Sequence, residues 1–375
     1  MTRAITYTLW LEEPCLLAAP GGDPNTESSL DYIPGGAMRG ALAAAYLRSG
    51  GDEDQFVTLF LSGGARFLNA YPYLDGRTLP PPRAWATKKE NETTVYNRLV
   101  DTARDEVEEG LPQGFKAPFI RPPAGAEDNT VLSPKVEHEI AVHTARNRQK
   151  GRAIDADPQG QSALFRYRAL ARDQQFAGAI VLDDALPAAG ATRLEELLKG
   201  ATLLLGGSQM AGYGLTQVEN VTLHEPWREE AGLPPAVAAE ESFILYLTAP
   251  AILYNPRTGQ PTSDIRLFLP GDPANCEDNY TIRDSYTAAG WVGGFNKHRG
   301  LPLPQQWAVQ MGSTWRITTH RALSTDALAE LEDSGIGVRR EEGFGRLLFV
   351  PQWPATLARA EDALSIQVKR PAAAT

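Results

Sequence analysis

The chain has 375 residues, of which 42% are apolar and 22% charged, a balance typical of a globular protein with two domains of ordinary size. No apolar run is long enough to span a bilayer and the start carries no secretory pattern, so we expect an intracellular, cytoplasmic protein. The two cysteines, Cys15 and Cys276, are too few and too far apart for a disulfide framework or a zinc knuckle. We therefore expect two small buried side chains, no metal and no cofactor.

The formal net charge of −10 argues against a surface that binds nucleic acid throughout, because phosphates attract clustered Lys and Arg. The segment from Val131 to Gln175 differs in charge from the whole chain, because its eight basic residues outnumber its five acidic ones. The eight are Lys135, Arg146, Arg148, Lys150, Arg152, Arg166, Arg168 and Arg172. An acidic body with one basic stripe is typical of a subunit that touches RNA on one side, and also of an ordinary protein with uneven charge.

The first half, residues 1–224, is predicted to form one α+β domain. Alternating apolar residues from Ile5 to Leu11 predict a strand, and Pro34 followed by glycines predicts the start of an Ala-rich helix. Residues 65–135 are rich in proline and are expected to form an irregular insertion. The half ends with further elements: a strand from Gly178, a helix near 191–205, a glycine-rich loop at 206–214 and a strand from Leu215.

Residues 225–240, rich in Pro, Ala and Glu, are predicted to link this half to a second domain at 241–352, with a tail at 353–375. The second half opens with a strand around Leu245 and ends with a helix from Ser324, a glycine-rich loop and a strand. Because both halves end in helix, glycine loop and strand, the sequence predicts a duplicated unit. A helix packed on an antiparallel sheet in this order predicts tandem ferredoxin-like (RRM-like) domains.

The glycine loops contain Gly212 and Gly214 in the first half and Gly343 and Gly345 in the second. Neither loop has the third glycine or the lysine of a nucleotide-binding motif, and each leaves a helix and enters a strand. Binding of dinucleotides or ATP is therefore not expected. Glycines allow left-handed backbone and close approach, so both loops are candidates for holding an RNA backbone, although a tight turn explains either loop about as well.

A third candidate site is the start of the Ala-rich helix, where Gly35 and Gly36 precede Arg39. A helix N-terminus attracts anions, and an arginine in the first turn adds positive charge, so a phosphate contact is expected here. The alternative is that the helix start needs glycine only for packing.

Three segments of the first half carry motifs. Residues 32–42 read Tyr-Ile-Pro-Gly-Gly-Ala-Met-Arg-Gly-Ala-Leu, and residues 206–214 read Gly-Gly-Ser-Gln-Met-Ala-Gly-Tyr-Gly. Residues 143–152 read His-Thr-Ala-Arg-Asn-Arg-Gln-Lys-Gly-Arg, with Ala-Leu-Phe-Arg-Tyr following at 163–167. These segments resemble the first-helix motif, the glycine-rich loop and the central segment of the RAMP superfamily of CRISPR-associated proteins. Gly36 departs from the serine, and Gln209 from the basic residue, that are common in that superfamily.

The second half narrows the resemblance. Residues 290–304 read Gly-Trp-Val-Gly-Gly-Phe-Asn-Lys-His-Arg-Gly-Leu-Pro-Leu-Pro, residues 311–315 read Met-Gly-Ser-Thr-Trp, and residues 342–346 read Glu-Gly-Phe-Gly-Arg. Together they resemble the Csx-ten family of type III-D subunits. The resemblance implies a subunit of a type III effector complex that binds the 5′ handle of the guide RNA (crRNA). The implied neighbours are the large signalling subunit and the RAMP backbone subunits, with no membrane contact.

Catalysis is not expected. Asp23 and Asp31 lie in the loop where backbone subunits of the superfamily carry a cleaving aspartate, but loop aspartates are usually turn formers. His143, beside the basic residues that follow it, has the ingredients of a metal-free endoribonuclease, and this alternative stays open, as it does for His298. A purely structural subunit that contacts only proteins is the other alternative.

Trp291 and Phe295 lie in a glycine-rich basic loop and are expected to stack on unpaired bases, unless they anchor the loop to the core. The full set of expected RNA-binding residues is Gly35, Gly36, Arg39, His143, Arg146, Arg148, Lys150, Arg152, Gly212, Tyr213, Gly214, Trp291, Phe295, Lys297, Arg340, Gly343, Phe344, Gly345 and Arg346.

Overall fold

The computed structural model describes residues 2–19, 26–121, 123, 129–144, 164–228, 236–296, 300–350 and 353–359. The strands up to residue 224 are β1 Arg3–Leu11, β2 Thr26–Ser28, β3 Ala65–Phe67, β4 Tyr71–Pro72, β5 Trp85–Lys88, β6 Asn91–Asn97, β7 Pro112–Gly114, β8 Thr130–Val131, β9 His138–Thr144, β10 Leu164–Leu170, β11 Gln175–Leu182, β12 Thr202–Leu204 and β13 Leu215–His224. The helices of this half are α1 Gly35–Arg48, α2 Glu53–Phe60, α3 Asp101–Glu108 and α4 Ala188–Leu198.

The second half and the chain end add nine strands and two helices among the described residues. The strands are β14 Ser242–Leu247, β15 Tyr280–Tyr286, β16 Ala289–Val292, β17 Phe295–Asn296, β18 Leu301–Pro302, β19 Gln306–Val309, β20 Thr314–Thr319, β21 Leu347–Val350 and β22 Thr356–Arg359. The helices are α5 Cys276–Asn279 and α6 Thr325–Ser334.

The first sheet is antiparallel and has the spatial order β12-β13-β1-β11-β3, with β4 also paired to β11. The apolar alternation that predicts β1 corresponds to one buried face of the strand. The residues of that face, which all lie in one core, are Ile5, Tyr7, Leu9 and Leu11. Helices α1, α2 and α4 contribute their apolar residues to the same core, so they cover one face of the sheet. The predicted first strand and Ala-rich helix are therefore confirmed.

The second sheet is also antiparallel, in the order β15-β20-β14-β21. Helix α6 packs on one face through Leu328. This helix begins where the Ser324 hydroxyl accepts a hydrogen bond from the Ala327 N–H, and it ends at Gly335. The sequence predicts a helix from Ser324 to Asp333, within one residue of the observed element. The opposite face, which includes Tyr246, packs against a third sheet.

The third sheet has the order β7-β5-β6-β22-β8 and corrects two expectations. Residues 65–135 contain four of its strands and helix α3, so this insertion is not irregular. Part of the segment expected to be a tail, 353–375, supplies the fifth strand, β22, which lies between β6 and β8. The pairing joins segments about 260 residues apart in the chain, and no local pattern reveals it.

An ion-pair network fixes the insertion to the second sheet. Asp284 on β15 accepts from Arg104 of α3 at 2.9 Å and from Arg316 of β20 at 2.5 Å. Both arginines also bind Asp101, at 2.7 Å and 2.9 Å. Such a closed network constrains geometry more than an isolated surface pair does.

In each half the chain forms a hairpin between two strands of the main sheet. The hairpin follows β4 and precedes β11 in the first half, and it lies between β15 and β20 in the second. In the first half β9 and β10 pair antiparallel, and β2 adds in parallel to β10. In the second half β16 pairs with β19, and the shorter pair β17 and β18 lies between them in the chain. Each half thus contains an antiparallel sheet, a helix packed on that sheet before its last strand, and a hairpin inserted between two strands of the sheet.

Two properties expected from composition can be compared with the structure. Cys15 and Cys276 are both buried with free thiols, as expected, and burial raises the pKa of Cys15 to about 12. Among the helices that the structure describes, none combines the length and apolar character needed to cross a bilayer.

Candidate functional site

Two loops of nine residues, 206–214 and 337–345, have the same backbone conformation. Each contains one 3₁₀ turn, Gln209–Ala211 in the first loop and Arg340–Glu342 in the second. Four corresponding positions of each loop adopt left-handed backbone: Gly206, Ser208, Gly212 and Gly214 in the first, and Gly337, Arg339, Gly343 and Gly345 in the second. The loops are copies of one structural unit, in agreement with the duplication that the sequence predicts.

The last glycine of each loop is required by the protein's own backbone. The Gly214 N–H donates to the Pro14 carbonyl at 2.8 Å, and the Gly345 N–H donates to the Pro250 carbonyl at the same distance. Both glycines are buried, and a Cβ at either would collide with a backbone carbonyl of its own half. These two glycines therefore do not face a ligand, contrary to the expectation that they contact RNA.

The second loop packs against the first half of the chain. A Cβ at Gly343 would lie 2.6 Å from the Phe67 carbonyl oxygen, and a Cβ at Gly35 would lie 2.8 Å from the Glu342 carbonyl oxygen. The Gly35 N–H donates to Asn69 Oδ1 at 2.9 Å. The start of α1, the end of β3 and the second glycine loop thus form a close backbone contact between the two halves.

The carboxylate of Glu342 occupies the anion position at the start of α1. Arg39 Nη2 lies 3.1 Å from Glu342 Oε1, and Arg339 Nη2 lies 2.6 Å from Oε2. The same carboxylate faces Gly36 in the first turn of the helix, where negative charge is favourable. The phosphate expected at Gly35, Gly36 and Arg39 is therefore replaced by a side chain of the protein itself.

Arg346 is also not available to RNA. Its side chain is buried, with 3% of the residue exposed, and its Nη1 donates to the Glu332 carbonyl oxygen. The guanidinium lies over the Trp227 ring, 5.5 Å from the centroid. The expectation that Arg346 contacts a phosphate is wrong, because a neighbouring helix and the start of the linker enclose it.

Glu332 on α6 should make stability depend on pH. Burial raises the pKa of Glu332 to about 7, although the Phe349 N–H and the positive charges of Arg346 and Arg228 counteract part of the rise. Between about pH 4.5 and pH 7 the folded state holds a proton that the unfolded state has lost, so stability falls as pH rises, by about 1 kcal/mol per pH unit at the steepest point. Above about pH 7 this contribution no longer changes.

Thermal unfolding across this pH range tests the prediction in wild type and Glu332→Gln, in which an amide oxygen still accepts the Phe349 N–H. The slope should flatten in Glu332→Gln. The matched control is Glu330→Gln, because Glu330 lies exposed on the same helix. An equal slope in all three proteins would contradict the assignment.

The first loop is held to hairpin β9–β10 by an aromatic cluster. His143 Nε2 lies 3.0 Å from the Tyr213 hydroxyl, and the His143 ring packs on Phe165 and Tyr167 with centroids 5.4 Å and 4.7 Å away. Ser208 Oγ donates to the Tyr167 hydroxyl at 3.1 Å. The cluster joins the central segment and the glycine-rich loop, two of the three segments of the first half that carry motifs, and Tyr213 is buried in it.

In the part of the chain that the structure describes, Met210, Ala211 and Gly212 of the first loop are exposed. A Cβ at Gly212 would have no atom within 4 Å, whereas the corresponding Gly343 is buried. Met210 at the tip of the loop is fully exposed, and Ala211 beside it is exposed as well. The two loops thus share one conformation, and in the described part of the chain Gly343 is buried where the corresponding Gly212 is exposed.

The described histidines near these loops are engaged by other side chains. His138 Nδ1 lies 2.9 Å from Arg168 Nη2, and its Nε2 lies 3.2 Å from Asp31 Oδ1, so neither ring nitrogen is open to a substrate. Asp23 and His298 lie outside the described residues. In the described part of the chain no group of three His, Cys, Asp or Glu side chains is placed to hold a metal ion.

Hairpin β16–β19 carries an exposed pair of tryptophans. Trp291 and Trp307 are direct cross-strand partners, with centroids 5.2 Å apart and planes at 76°. They are 59% and 45% exposed, while the neighbouring Val292 and Ala308 pack inward. Trp291 is therefore not a core anchor, and its stacking role stays a prediction.

The remaining expected RNA-binding residues have different surroundings. Phe295 is exposed on β17, opposite Pro302, and Arg340 is exposed at the second glycine loop. Phe344 is half-buried under the Arg339 guanidinium, 4.7 Å from its ring centroid. Five further candidates lie outside the described residues: Arg146, Arg148, Lys150, Arg152 and Lys297.

Two residues of these surfaces, Trp307 and Glu342, are not among those predicted from the sequence. Trp307 becomes significant only when the register of β16 and β19 places it beside Trp291, and a lone tryptophan between Gln306 and Ala308 does not show this. Glu342 fills an anion site formed by residues 303 positions earlier, and no spacing rule connects the two.

Comparison with protein-family models gives no match, and comparison with curated proteins gives none. Among solved structures, a chain of the type III-B Cmr-beta bound to cognate target RNA is similar over 94% of this chain and 98% of its own, with a TM-score of 0.48 and 12% identity. A chain of the type III-B Cmr-beta bound to cognate target RNA and AMPPnP covers 84% and 86%, with a TM-score of 0.45 and 12% identity. The CRISPR-associated protein Cas6 covers 94% and 100%, with a TM-score of 0.37 and 8% identity.

The resemblance to RAMP-superfamily CRISPR-associated proteins rests on the sequence motifs of the first half. The finer resemblance to type III-D subunits stays a prediction.

Proposed function

We propose that this chain is a non-catalytic subunit of a type III CRISPR effector complex that binds the 5′ handle of the guide RNA and contacts neighbouring subunits. The type III-D assignment rests on the sequence motifs of the second half. The fold and the exposed aromatic surface support the RNA-binding role.

The two main sheets support an assignment to tandem ferredoxin-like domains. If the strands of each half are numbered along the chain, β1, β3, β11 and β13 in one and β14, β15, β20 and β21 in the other, both sheets have the order 4-1-3-2. This is the order of a split βαβ unit, the ferredoxin-like class in which RRM domains bind RNA. The domains proposed are 1–224 and 241–352, with the third sheet as an elaboration of the first.

The observation that carries the proposal is the exposed pair of Trp291 and Trp307. It lies in a segment with no Asp or Glu between Asp284 and Asp326, although the whole chain has a net charge of −10. Exposed aromatic side chains in a locally basic or neutral surface are the usual platform for unpaired bases. Stacking on aromatic side chains tolerates any base, and it requires bases that are not paired, as in single-stranded RNA.

Because Trp291 and Trp307 are exposed, the proposal can be tested by measuring how their replacement changes the affinity for guide RNA. Trp291→Ala and Trp307→Ala should each weaken binding of guide RNA by about fivefold or more, because stacking contributes about 1–3 kcal/mol per base. Leu301→Ala is the matched control, since Leu301 is equally exposed and close in the chain but cannot stack. An equal loss in all three variants would indicate a general apolar contact instead.

Intrinsic fluorescence gives a second readout of the same contact. The other five tryptophans of the chain are buried, so iodide and stacked bases reach only Trp291 and Trp307. Guide RNA should quench this exposed emission, and the double variant should lose the quenching.

The decisive experiment is a filter-binding titration of the purified chain against guide RNA with and without its 5′ handle, at two salt concentrations. Tighter, salt-sensitive binding only with the handle supports the proposal. Equal or absent binding to both RNAs contradicts it and favours a purely structural subunit. Cleavage of repeat RNA that His143→Ala abolishes would instead identify the endoribonuclease alternative.

A further inference from the structure

A groove lies between the end of α6 and the second glycine loop. Its volume is about 360 Å³, and every residue that lines it belongs to the described part of the chain. The last turn of α6 contributes Leu331 and Ser334, and the loop contributes Val338 and Arg340. We infer that this groove receives a single unpaired base of the guide RNA.

The lining and the size of the groove suit a nucleobase. Tyr254 and Phe268 add two half-buried aromatic side chains to the apolar lining. Aromatic and apolar side chains accept the flat face of any base by stacking. The volume of about 360 Å³ lies near the lower end of the range of about 300–1,000 Å³ for ligand sites. A helix of another protein, about 10 Å across, is too wide for it.

The charges around the groove orient the bound nucleotide. Arg340 is exposed, and its Nη1 donates to the Ser334 carbonyl oxygen at 3.3 Å, so the guanidinium lies at the end of α6. A guanidinium has five N–H donors, and those that remain suit a phosphate. The C-terminal end of a helix carries partial negative charge, which disfavours a phosphate deeper in the groove. The base therefore enters the groove, and its phosphate stays outside at Arg340.

Tyr254 connects the groove to the hairpin that carries the tryptophan pair. Its hydroxyl accepts a hydrogen bond from Gln306 Nε2 at 3.0 Å, and Gln306 directly precedes Trp307 on β19. Its ring packs against the cluster that contains Val292 and Ala308, the inward-facing residues of the same hairpin. A single strand that stacks on the tryptophans therefore has a nearby base in reach of the groove. The inference rests on the proposed function, because the base belongs to the guide RNA.

An abasic scan of the guide RNA tests the inference. Each nucleotide of the 5′ handle is replaced in turn by an abasic one, and binding to the full chain is measured by filter binding. At one position the loss of the base should weaken binding by at least about fivefold, because stacking of one base contributes that much. That loss should persist in Trp291→Ala, because the base lies in the groove and not on the tryptophan pair.

Val338→Phe identifies the position whose base enters the groove. Val338 lines the groove and is 40% exposed, so a larger ring fills the groove without displacing the core. This variant should bind intact guide RNA at least about fivefold more weakly, and the abasic substitution should then cost nothing further. Val57→Phe is the matched control, because Val57 is 43% exposed on α2. Both variants should keep the thermal midpoint of the wild type.

Arg340→Gln tests the phosphate contact independently. Loss of one phosphate contact should reduce the slope of log affinity against log salt concentration by about 1. Arg48→Gln is the control, because Arg48 is exposed at the end of α1 in the other half of the chain. An equal change of slope in both variants would mean that Arg340 acts only through the net charge.

The outcomes separate this inference from the proposed function. If Val338→Phe leaves every abasic loss unchanged, or Trp291→Ala removes all of them, the inference is overturned and the function stays intact. Normal binding of guide RNA by Val338→Phe with weakened binding of other subunits would show that the groove takes a protein side chain, which also overturns it. Equal binding of guide RNA with and without its 5′ handle overturns both.

Discussion

Gly35→Ala should destabilise the folded chain by about 3 kcal/mol, at the upper end of the usual cost of overpacking. The added methyl group would collide with the Phe67 carbonyl oxygen and lie 2.8 Å from the Glu342 carbonyl oxygen. Both obstacles are backbone atoms held in β3 and in the second glycine loop, so neither moves aside cheaply. Relief requires α1 to shift away from both β3 and the second glycine loop, which would also disturb the Asn69 hydrogen bond.

Gly40→Ala in the same helix is the control for this prediction. No atom lies within 4 Å of a Cβ at Gly40, and alanine is the better helix former, so this variant should gain about 0.5–1 kcal/mol. The measurement is the thermal midpoint of each variant, together with urea denaturation. Midpoints that move in the same direction for both variants would mean that the two halves do not meet at Gly35.

Trp85→Ala should cost about 3–5 kcal/mol, the range for removing a fully buried large aromatic residue. Trp85 is completely buried between the insertion and the second sheet, with ring centroids 5.3 Å from Trp353 and 6.1 Å from Phe115. Its removal leaves a cavity at the point where the insertion and the chain end meet. The loss should therefore lower the unfolding midpoint of the whole protein and not of the insertion alone.

Leu111→Ala separates this effect from the general sensitivity of the insertion. Leu111 lies in the same segment but is 64% exposed, so its truncation should change stability by no more than about 0.5 kcal/mol. Near-ultraviolet circular dichroism and thermal unfolding report both variants. If Trp85→Ala is as mild as Leu111→Ala, the third sheet does not share a core with the second.

Local sequence patterns predict a helix or strand of this fold well where the residues of that element alone determine its structure. The alternation in β1 and the predicted helix from Ser324 to Asp333 place β1 and α6 within one or two residues of the observed elements. The repeated order of helix, glycine loop and strand likewise predicts the duplication, because left-handed glycines are needed at the same places in both loops.

Features that depend on distant partners escape a reading of the sequence. The Pro-rich segment appears irregular until β22, far along the chain, completes its sheet. Arg346 looks like a phosphate ligand beside a glycine loop, and only the packing of α6 shows that it is enclosed. The helix start at Gly35 is a sound candidate for an anion site, and the unforeseen point is that Glu342 supplies the anion.

The position of β22 has a consequence for how the protein is made. A ribosome releases β6 and β8 long before residues 356–359, so these strands wait with open edges while the second half is synthesised. The third sheet closes only when residues 356–359 have been translated. A product that ends before residue 356 therefore keeps unpaired strand edges, which chaperones and proteases recognise.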